Sequence, residues 1–248
     1  MDDLLRATAR AESRHFWFRG FRAFVTPLVA EAVRGIREPR ILDCGCGTGA
    51  NVELLSRCGS AFGFDLSATG LELGRASGRK RLVRAGVTAA PFPSATFDLV
   101  TSFDVLYSLD SPDERQAVAE MFRMVRPGGF ALVNVAAMEM LRGDHSVLSH
   151  ERRRYSRDSL RALMVSAGFR VVRLTYTNAS LFVPLAALRG IQRIRGLAAA
   201  GGSQREISVP PAPVNALLTA AVLLEGLWLR YANSPFGSSL LCLAKKPG

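Results

Sequence analysis

The chain has 248 residues, of which 48% are apolar, and this is enough for one large domain with a sizeable core. Its net charge is +11, but the basic residues are spread along the chain and are not interleaved with aromatics as in a single-strand nucleic-acid binder. Solvated surface is the first explanation of this charge, an anionic substrate or phospholipid surface is the second, and nucleic acid is the third.

The beginning of the chain lacks the pattern of a secretory signal, and the apolar stretch 214–229 is shorter than the roughly 20 residues of a spanning helix. We therefore expect a cytoplasmic protein. Cys44 and Cys46 have no second pair of cysteines at metal-ligand spacing, so we expect neither a metal site nor a disulfide.

Apolar residues at helical spacing predict an amphipathic helix over 21–36. A shorter helix from about Asp2 is predicted to precede it and to carry His15, Phe16, Trp17 and Phe18. Strands and helices then alternate. The predicted strands are 41–42, 60–65, 81–85, 97–103, 130–136 and 169–175. The predicted helices are 50–57, one capped by Ser67, one from an N-cap at Ser111 to Val125, and one from Ser156 to Ala167. This alternation is typical of a doubly wound α/β sandwich with parallel strands.

The segment after residue 178 does not continue the alternation. It contains a basic apolar stretch (181–200), a Gly/Pro-rich hinge (201–213) and an apolar helix (214–231), followed by a last strand at 238–244. A cap over the substrate pocket, a dimer face and an interfacial membrane helix are three alternatives for this insert. The cap is favoured, with an apolar substrate or a peripheral membrane contact as a further hypothesis.

Residues 40–50 read RILDCGCGTGA, so Asp43 joins the predicted strand to a loop with glycine at 45, 47 and 49. In a doubly wound sheet, ligands bind at the carboxyl ends of the strands, and glycine lets a ligand approach the backbone closely. The loop therefore predicts a cofactor site, with free N–H groups at the start of the next helix pointing toward it.

Two cofactor classes fit this loop. Gly45, Gly47 and Ala50 match the GxGxxA pattern of dinucleotide binding, with Asp65 about 20 residues further on as the ribose-binding acid. The carboxylate of Asp43 instead disfavours a pyrophosphate and suits a cationic, phosphate-free cofactor such as S-adenosylmethionine. The residues alone leave both open, although Asp43 favours the second.

The chain resembles the class I S-adenosylmethionine-dependent methyltransferases, a Rossmann-like family with a mostly parallel seven-stranded sheet. The motifs ILDCGCGTG, FGFDLS, PFPSATFDLV and MFRMVRPGGFALVNV carry the resemblance over about residues 38–137. The flanks HFWFRG and HERRRYSRDSLRALMVSAGF resemble one bacterial subgroup that acts on small molecules. The resemblance implies N-terminal lid helices (1–37), a cofactor-binding core (38–178), a helical insert (179–235) and a last core strand (236–248).

The resemblance also implies roles for individual residues. Asp43, Gly45, Cys46, Gly47 and Gly49 would line the methionine and ribose. Asp65 would hold the ribose hydroxyls and Leu66 would lie beside the adenine. Gly86 stands where the family often has an Asp, so the backbone of Gly86 and Val87 is expected to contact the adenine. Phe103 is expected to end the fourth strand near the methyl group. Tyr107 and Ser108 stand where the subgroup often has Glu-His.

On the substrate side, His145 and His150 follow the fifth strand, and either is a candidate general base, although hydrogen bonding within the loop is the favoured explanation for each taken singly. Trp17, Asp104, Tyr107 and Tyr155 are the candidate substrate-binding residues. For Trp17 and Tyr155 simple packing is the competing explanation, and Arg152–Arg154 is expected to be a solvated charge run.

The sequence thus predicts a methyltransferase acting on a small, apolar metabolite by in-line displacement, with no nucleic-acid partner. A nicotinamide-dependent oxidoreductase and a non-methylating, cofactor-binding member of the fold are the alternatives. Contact with the inner face of the membrane and a homodimer are the two further associations considered.

Overall fold

A seven-stranded sheet forms the centre of the structure, a computed structural model that describes residues 2–195 and 208–248. The strands are β1 (Arg40–Cys44), β2 (Ser60–Asp65), β3 (Leu82–Arg84), β4 (Phe97–Phe103), β5 (Val125–Ala136), β6 (Arg170–Thr177) and β7 (Ser239–Lys245). Their order is β3-β2-β1-β4-β5-β7-β6, and β7 alone runs antiparallel to its neighbours in this sheet. The prediction of a mostly parallel, Rossmann-like seven-stranded sheet is confirmed.

Helices cover both faces of the sheet. They are α1 (Asp2–Ala11), α2 (Phe16–Ala32), α3 (Ala50–Leu55), α4 (Ala68–Ala76), α5 (Ser111–Met124), α6 (Asp144–Leu148), α7 (Arg157–Ser166), α8 (Phe182–Arg195) and α9 (Ala212–Trp228). Because side chains alternate along a strand, Ala131 and Val133 pack with α5 and α7, whereas Leu132 between them packs with α2, α3 and α9. All seven residues of β4 are buried, because helices cover the sheet on both sides of this strand.

Two helix starts compare directly with the sequence prediction. Ser67 caps α4 as predicted, since its Oγ accepts a hydrogen bond of 3.1 Å from Gly70 N. The N-cap predicted at Ser111 is wrong by one residue. Asp110 is the cap, because its Oδ1 accepts from Asp113 N at 3.0 Å, and Ser111 is already helical.

The aromatic cluster at the N-terminus lies on a different helix from the one predicted. α1 ends at Ala11, and His15 is the N-cap of α2, where its Nδ1 accepts a hydrogen bond of 3.1 Å from Trp17 N. Phe16, Trp17 and Phe18 therefore form the first turn of α2. A neutral imidazole nitrogen supplies the acceptor that a Ser or Asp usually supplies at this position.

The insert packs on the N-terminal helices. α9 lies so close to α2 that a Cβ at Gly20 would come within 2.8 Å of Val222 Cβ. Phe16 N also donates to Asn215 Oδ1 at 3.0 Å.

Of the hinge predicted at 201–213, residues 201–207 lie outside the described part of the chain, as do residues 196–200 of the basic stretch. None of the helices in the described ranges combines the length and apolarity needed to cross a membrane. The four-part domain division remains a prediction.

Candidate active site

A cavity of about 1530 Å³ lies at the carboxyl ends of the parallel strands. The loops after β1, β2, β3 and β4 form its floor, and residues of α1, α2, α6 and α8 form its walls. Pockets for one small ligand usually measure about 300–1,000 Å³, so this cavity has room for a cofactor together with a second molecule.

The glycine loop forms one end of the cavity. Gly45, Gly47 and Gly49 have φ angles of +77°, +55° and +78°, in the left-handed region that favours glycine. Gly45 N and Cys46 N donate to Phe64 O at 2.8 and 3.0 Å, which fastens the loop to β2. Gly45, Cys46 and Gly47 line the cavity, whereas Gly49 is the N-cap of α3 and packs against Leu82, away from the lining.

Asp65 lies beside this loop at the end of β2. Its Oδ2 accepts from Gly47 N at 2.8 Å and its Oδ1 accepts from Ser67 N at 2.8 Å. A carboxylate oxygen can accept more than one hydrogen bond, so both oxygens retain acceptor capacity toward the cavity they line. Asp65 therefore holds the loop in place and can also bind a pair of ligand hydroxyls.

Asp43 lies behind the loop and is fully buried. Thr101 Oγ1 donates to its Oδ1 at 2.6 Å, while its Oδ2 has no hydrogen-bond partner within the described residues. The pKa of Asp43 is raised to about 7: burial is the main cause, the hydrogen bond from Thr101 opposes the rise, and the nearby Asp65 charge adds to it. Asp43 is not part of the cavity lining, so its predicted contact with the cofactor stays a prediction.

Leu66, Gly86 and Val87 are also part of the cavity lining. Leu66 is 69% exposed and lines the cavity. A Cβ built on Gly86 would meet no atom within 4 Å. The adenine contacts predicted for these three residues are compatible with this lining and stay predictions.

Asp104 lines the cavity one residue after β4, and its neighbour Val105 lies against Gly45 of the glycine loop. Its φ of +61° is rare for a residue with a side chain, and such strain is often found at functional sites. Asn134 Nδ2 donates to Asp104 Oδ1 at 2.9 Å, and Asp104 N donates to Asn134 O at 3.0 Å. Asp104 is exposed to the cavity that it lines. Its pKa is raised to about 6, mainly because the cavity limits its access to bulk water, and the hydrogen bond from Asn134 and the nearby His145 oppose this rise.

Phe103, Trp17, Tyr107 and His145 also line the cavity, as predicted for a site. The ring of Phe103 meets that of Phe21 edge-on, with centroids 5.0 Å apart. Burial raises the pKa of Tyr107 well above its usual range, so its hydroxyl stays protonated.

His150 and Tyr155 lie outside the cavity lining. The side chain of His150 is exposed. Tyr155 is buried and its hydroxyl donates to Glu114, which also accepts from Arg153 Nη1 at 2.8 Å. The geometry gives no support to the roles predicted for these two residues, which stay predictions.

The sequence prediction missed two buried ionic clusters on the cavity wall. Glu12 accepts from Arg79 Nη2 at 2.5 Å and from Thr48 Oγ1 at 2.8 Å, but these partners are too far apart in the sequence to form a recognisable pattern. Arg154 pairs with Glu151 at 2.5 Å, with side chains only 7% and 2% exposed. The interpretation of Arg152–Arg154 as a solvated charge run is therefore wrong for Arg154. The carboxylate of Glu151, three residues before Arg154, is the sequence feature that could have indicated this ion pair.

α8 forms one wall of the cavity. Of the three alternatives for the insert, only the cap over the substrate pocket predicts this position. The residues that α8 contributes are Pro184, Leu185, Leu188, Arg189 and Gln192. Its apolar side chains give that part of the cavity a hydrophobic surface.

Comparison with known proteins agrees with this geometry. A family model described as a methyltransferase domain matches residues 42–133. The malonyl-[acyl-carrier protein] O-methyltransferase of Enterobacter lignolyticus is 32% identical over 172 residues, which are 66% of this chain and 66% of that protein. Two other curated relatives are matched over 46% and 45% of their length, so the chain spans about half of each.

Solved structures share the fold. A methyltransferase from Haloferax volcanii, in complex with the Trm112 methyltransferase activator, has a TM-score of 0.61 at 19% identity. That match covers 99% of this chain and 94% of the other. The [4+2]-cyclase SpnF has a TM-score of 0.57 at 21% identity, covering 91% of this chain and 80% of the other. With the methyltransferase-domain match and the curated relatives, the chain belongs to the class I S-adenosylmethionine-dependent methyltransferases.

Proposed function

We propose that this protein transfers a methyl group from S-adenosylmethionine to a small, largely apolar metabolite. One observation carries the proposal. One cavity large enough for two molecules is lined both by the glycine loop with Asp65 and by Asp104, Tyr107 and His145.

The residues around the glycine loop suit S-adenosylmethionine. Asp65 has acceptor capacity for the two ribose hydroxyls, and Leu66 and Gly86 border an open space for the adenine. Above about pH 7 the buried Asp43 behind the loop is ionised, and its unpartnered Oδ2 then suits a positively charged cofactor better than a diphosphate, because a phosphate would bring a like charge toward it. Bound there, S-adenosylmethionine would supply a methyl group activated by a sulfonium, which needs no covalent intermediate with the protein.

The remaining part of the cavity suits an apolar acceptor. Phe21 and Phe103 pack against each other on one wall, and Leu185 and Leu188 of α8 lie on another. These residues would exclude water and hold the acceptor by shape, leaving its reacting atom to the polar groups near Asp104. Holding both partners in line is the main contribution that the protein makes to such a displacement.

His145 is the stronger candidate for the base of an oxygen acceptor. It lines the cavity on α6 and lies close enough to Asp104 to lower the pKa of that carboxyl. In its neutral form, His145 would take the proton of an acceptor hydroxyl as the bond to the methyl group forms. Asp104, fixed by Asn134, would then stabilise the resulting imidazolium.

Calorimetric titration tests the cofactor. We expect S-adenosylhomocysteine to bind and NAD not to bind. A Cβ at Gly86 would meet no other atom, so Gly86→Leu should keep nearly the unfolding midpoint of the wild type. Its side chain would fill ligand space and lower the affinity for S-adenosylhomocysteine by at least about tenfold. Binding of NAD without S-adenosylhomocysteine would favour the nicotinamide alternative instead.

A screen of metabolites with labelled S-adenosylmethionine tests the reaction. The product should be heavier than the acceptor by one CH₂. The cyclase among the fold neighbours keeps a non-methylating reaction as the second candidate. A product that forms in the presence of the cofactor without this gain in mass would favour that candidate.

We also propose that the protein is cytoplasmic and that its partner is a small molecule and not a nucleic acid. The four cysteines Cys44, Cys46, Cys58 and Cys242 are all free thiols, which agrees with a reducing compartment. Peripheral membrane contact and a homodimer remain as proposals for the surface of the insert.

A further inference from the structure

The outward side of α9 is apolar along its whole length. Val214, Leu217, Leu224, Leu227, Trp228 and Tyr231 form what we term the α9 face; the last lies just beyond the helix end. At 100° per residue these positions fall within about 140° of arc, opposite the buried Thr219, Val222 and Gly226. Leu217, Trp228 and Tyr231 are 71%, 61% and 88% exposed.

Such a continuous apolar surface is unusual on the outside of a domain and indicates a binding surface. The inner side of α9 already packs on α2, and within the described residues no element covers the outer side. Either a second copy of the chain or a lipid surface would bury it.

Charge favours a lipid surface over a second copy. Glu225 is the single acid of α9, and it is buried, with both carboxylate oxygens accepting from Ala179 N and Ser180 N at 2.9 Å. The exposed charge in 212–231 is therefore Arg230 alone, and α8 contains no acid. Each copy carries +11, so two copies would repel, whereas an anionic surface would attract this face.

Length decides how the helix meets the lipid. α9 has 17 residues and is therefore about 26 Å long, less than the roughly 30 Å of a bilayer hydrocarbon core. A helix of this kind lies in the plane of the interface with its apolar side buried in the headgroup region. Trp228 and Tyr231 at one end are the side chains that prefer this boundary.

We propose that the α9 face docks on a membrane surface containing anionic lipids. This inference is independent of the proposed reaction, because docking needs neither cofactor nor acceptor. Leu218 of the same helix lines the cavity, so the helix that touches lipid also borders the space proposed for an apolar acceptor.

Vesicle flotation of the purified full chain, without cofactor, tests the proposal. We expect binding to vesicles of phosphatidylcholine with phosphatidylglycerol, and weaker binding to phosphatidylcholine alone. Leu224→Glu with Trp228→Glu should raise the lipid concentration for half-binding by roughly tenfold or more. The matched control, Val165→Glu with Val172→Glu, makes the same charge change at exposed positions elsewhere and should bind nearly as the wild type does.

A second readout leaves the α9 face unaltered. Trp17 and Trp228 are the two tryptophans, so Trp17→Phe leaves Trp228 as the only one. When this variant binds vesicles, the fluorescence emission of Trp228 should shift to shorter wavelengths and should be quenched by brominated lipid. Absence of flotation and quenching at low salt would overturn the proposal, as would equal losses in both double variants. Light scattering that shows a dimer of the wild type and a monomer of the variant with Leu224→Glu and Trp228→Glu would assign the face to a second copy instead.

Discussion

Thr48 in the glycine loop donates a hydrogen bond of 2.8 Å from its Oγ1 to Oε2 of Glu12, the residue that follows α1. Arg79 completes the contact from after α4, donating from Nη2 to Glu12 Oε1 and from Nη1 to Thr48 O at 3.1 Å. A buried carboxylate thus ties the N-terminal helices directly to the loop that we assign to the cofactor.

Glu12→Ala should destabilise the fold by about 3 kcal/mol, because it leaves the largely buried Arg79 without its closest counter-charge. Glu53 also pairs with Arg79, at 3.2 Å, but its side chain is 64% exposed, so Glu53→Ala should cost under about 1 kcal/mol. Urea unfolding of both variants measures the difference. Equal losses of unfolding free energy in the two variants would show that burial of the Glu12–Arg79 pair adds nothing to the stability of the fold.

Gly47→Ala should weaken the binding of S-adenosylhomocysteine by at least about tenfold, because a methyl group would occupy the wall where the ligand approaches the backbone. Gly78 is the matched control, since it also has a positive φ but has open space around it, away from the cavity. Each substitution should cost about 1–2 kcal/mol of stability through backbone strain. Titration calorimetry should then show an affinity loss for Gly47→Ala only; a similar loss for Gly78→Ala would point to a general loosening of the fold.

Asp43 should make the stability of the protein depend on pH. Its folded pKa of about 7 lies above the unfolded value near 3.8, so the folded chain holds a proton that the unfolded chain releases. This contribution to stability is complete below about pH 4 and is lost as the pH rises through 7.

Asp43→Asn keeps an acceptor for Thr101 and removes the charge. Its free energy of unfolding relative to the wild type should therefore increase by roughly 2–4 kcal/mol between pH 4 and pH 8. Urea midpoints at both pH values measure this, and Asp158→Asn, at an exposed position, is the control. A constant difference across the range would show that Asp43 is ionised in the folded state throughout.

His145→Ala should lower kcat by roughly 10²-fold or more with an oxygen acceptor, as expected for loss of a general base. His150→Ala, five residues further on and outside the cavity lining, should leave kcat nearly unchanged. Steady-state rates at saturating cofactor give the comparison. If both variants lose activity equally, the loop as a whole and not His145 would be responsible.

Local patterns were sufficient to predict several elements from the sequence. β2 and β4 have the predicted bounds, since each is a short apolar run between turn residues. β1 is longer than the predicted 41–42, because Asp43 and Cys44 continue the ladder beside Gly63 and Phe64. Polar Asp43 did not suggest a strand, and its burial depends on Thr101 from a neighbouring strand.

The candidate site divides in a similar way. The glycine loop and Asp65 could be predicted because they form a motif within a single β-α-β unit. The Glu12 cluster could not be predicted, because Glu12 meets Thr48 and Arg79 only after α1 has packed on the loop. The wall formed by α8 likewise depends on tertiary packing of a segment without a motif.

Asn178 and Ser239 are 61 positions apart, yet Asn178 Nδ2 lies 3.5 Å from Ser239 Oγ where β6 meets β7. The two ends of the intervening segment are thus fixed to each other by the sheet. Doubling the length of a loop closed in this way costs only about 0.6 kcal/mol in chain entropy. Changing the length of this stretch therefore costs little chain entropy, and the packing of α9 on α2 is what limits its exchange.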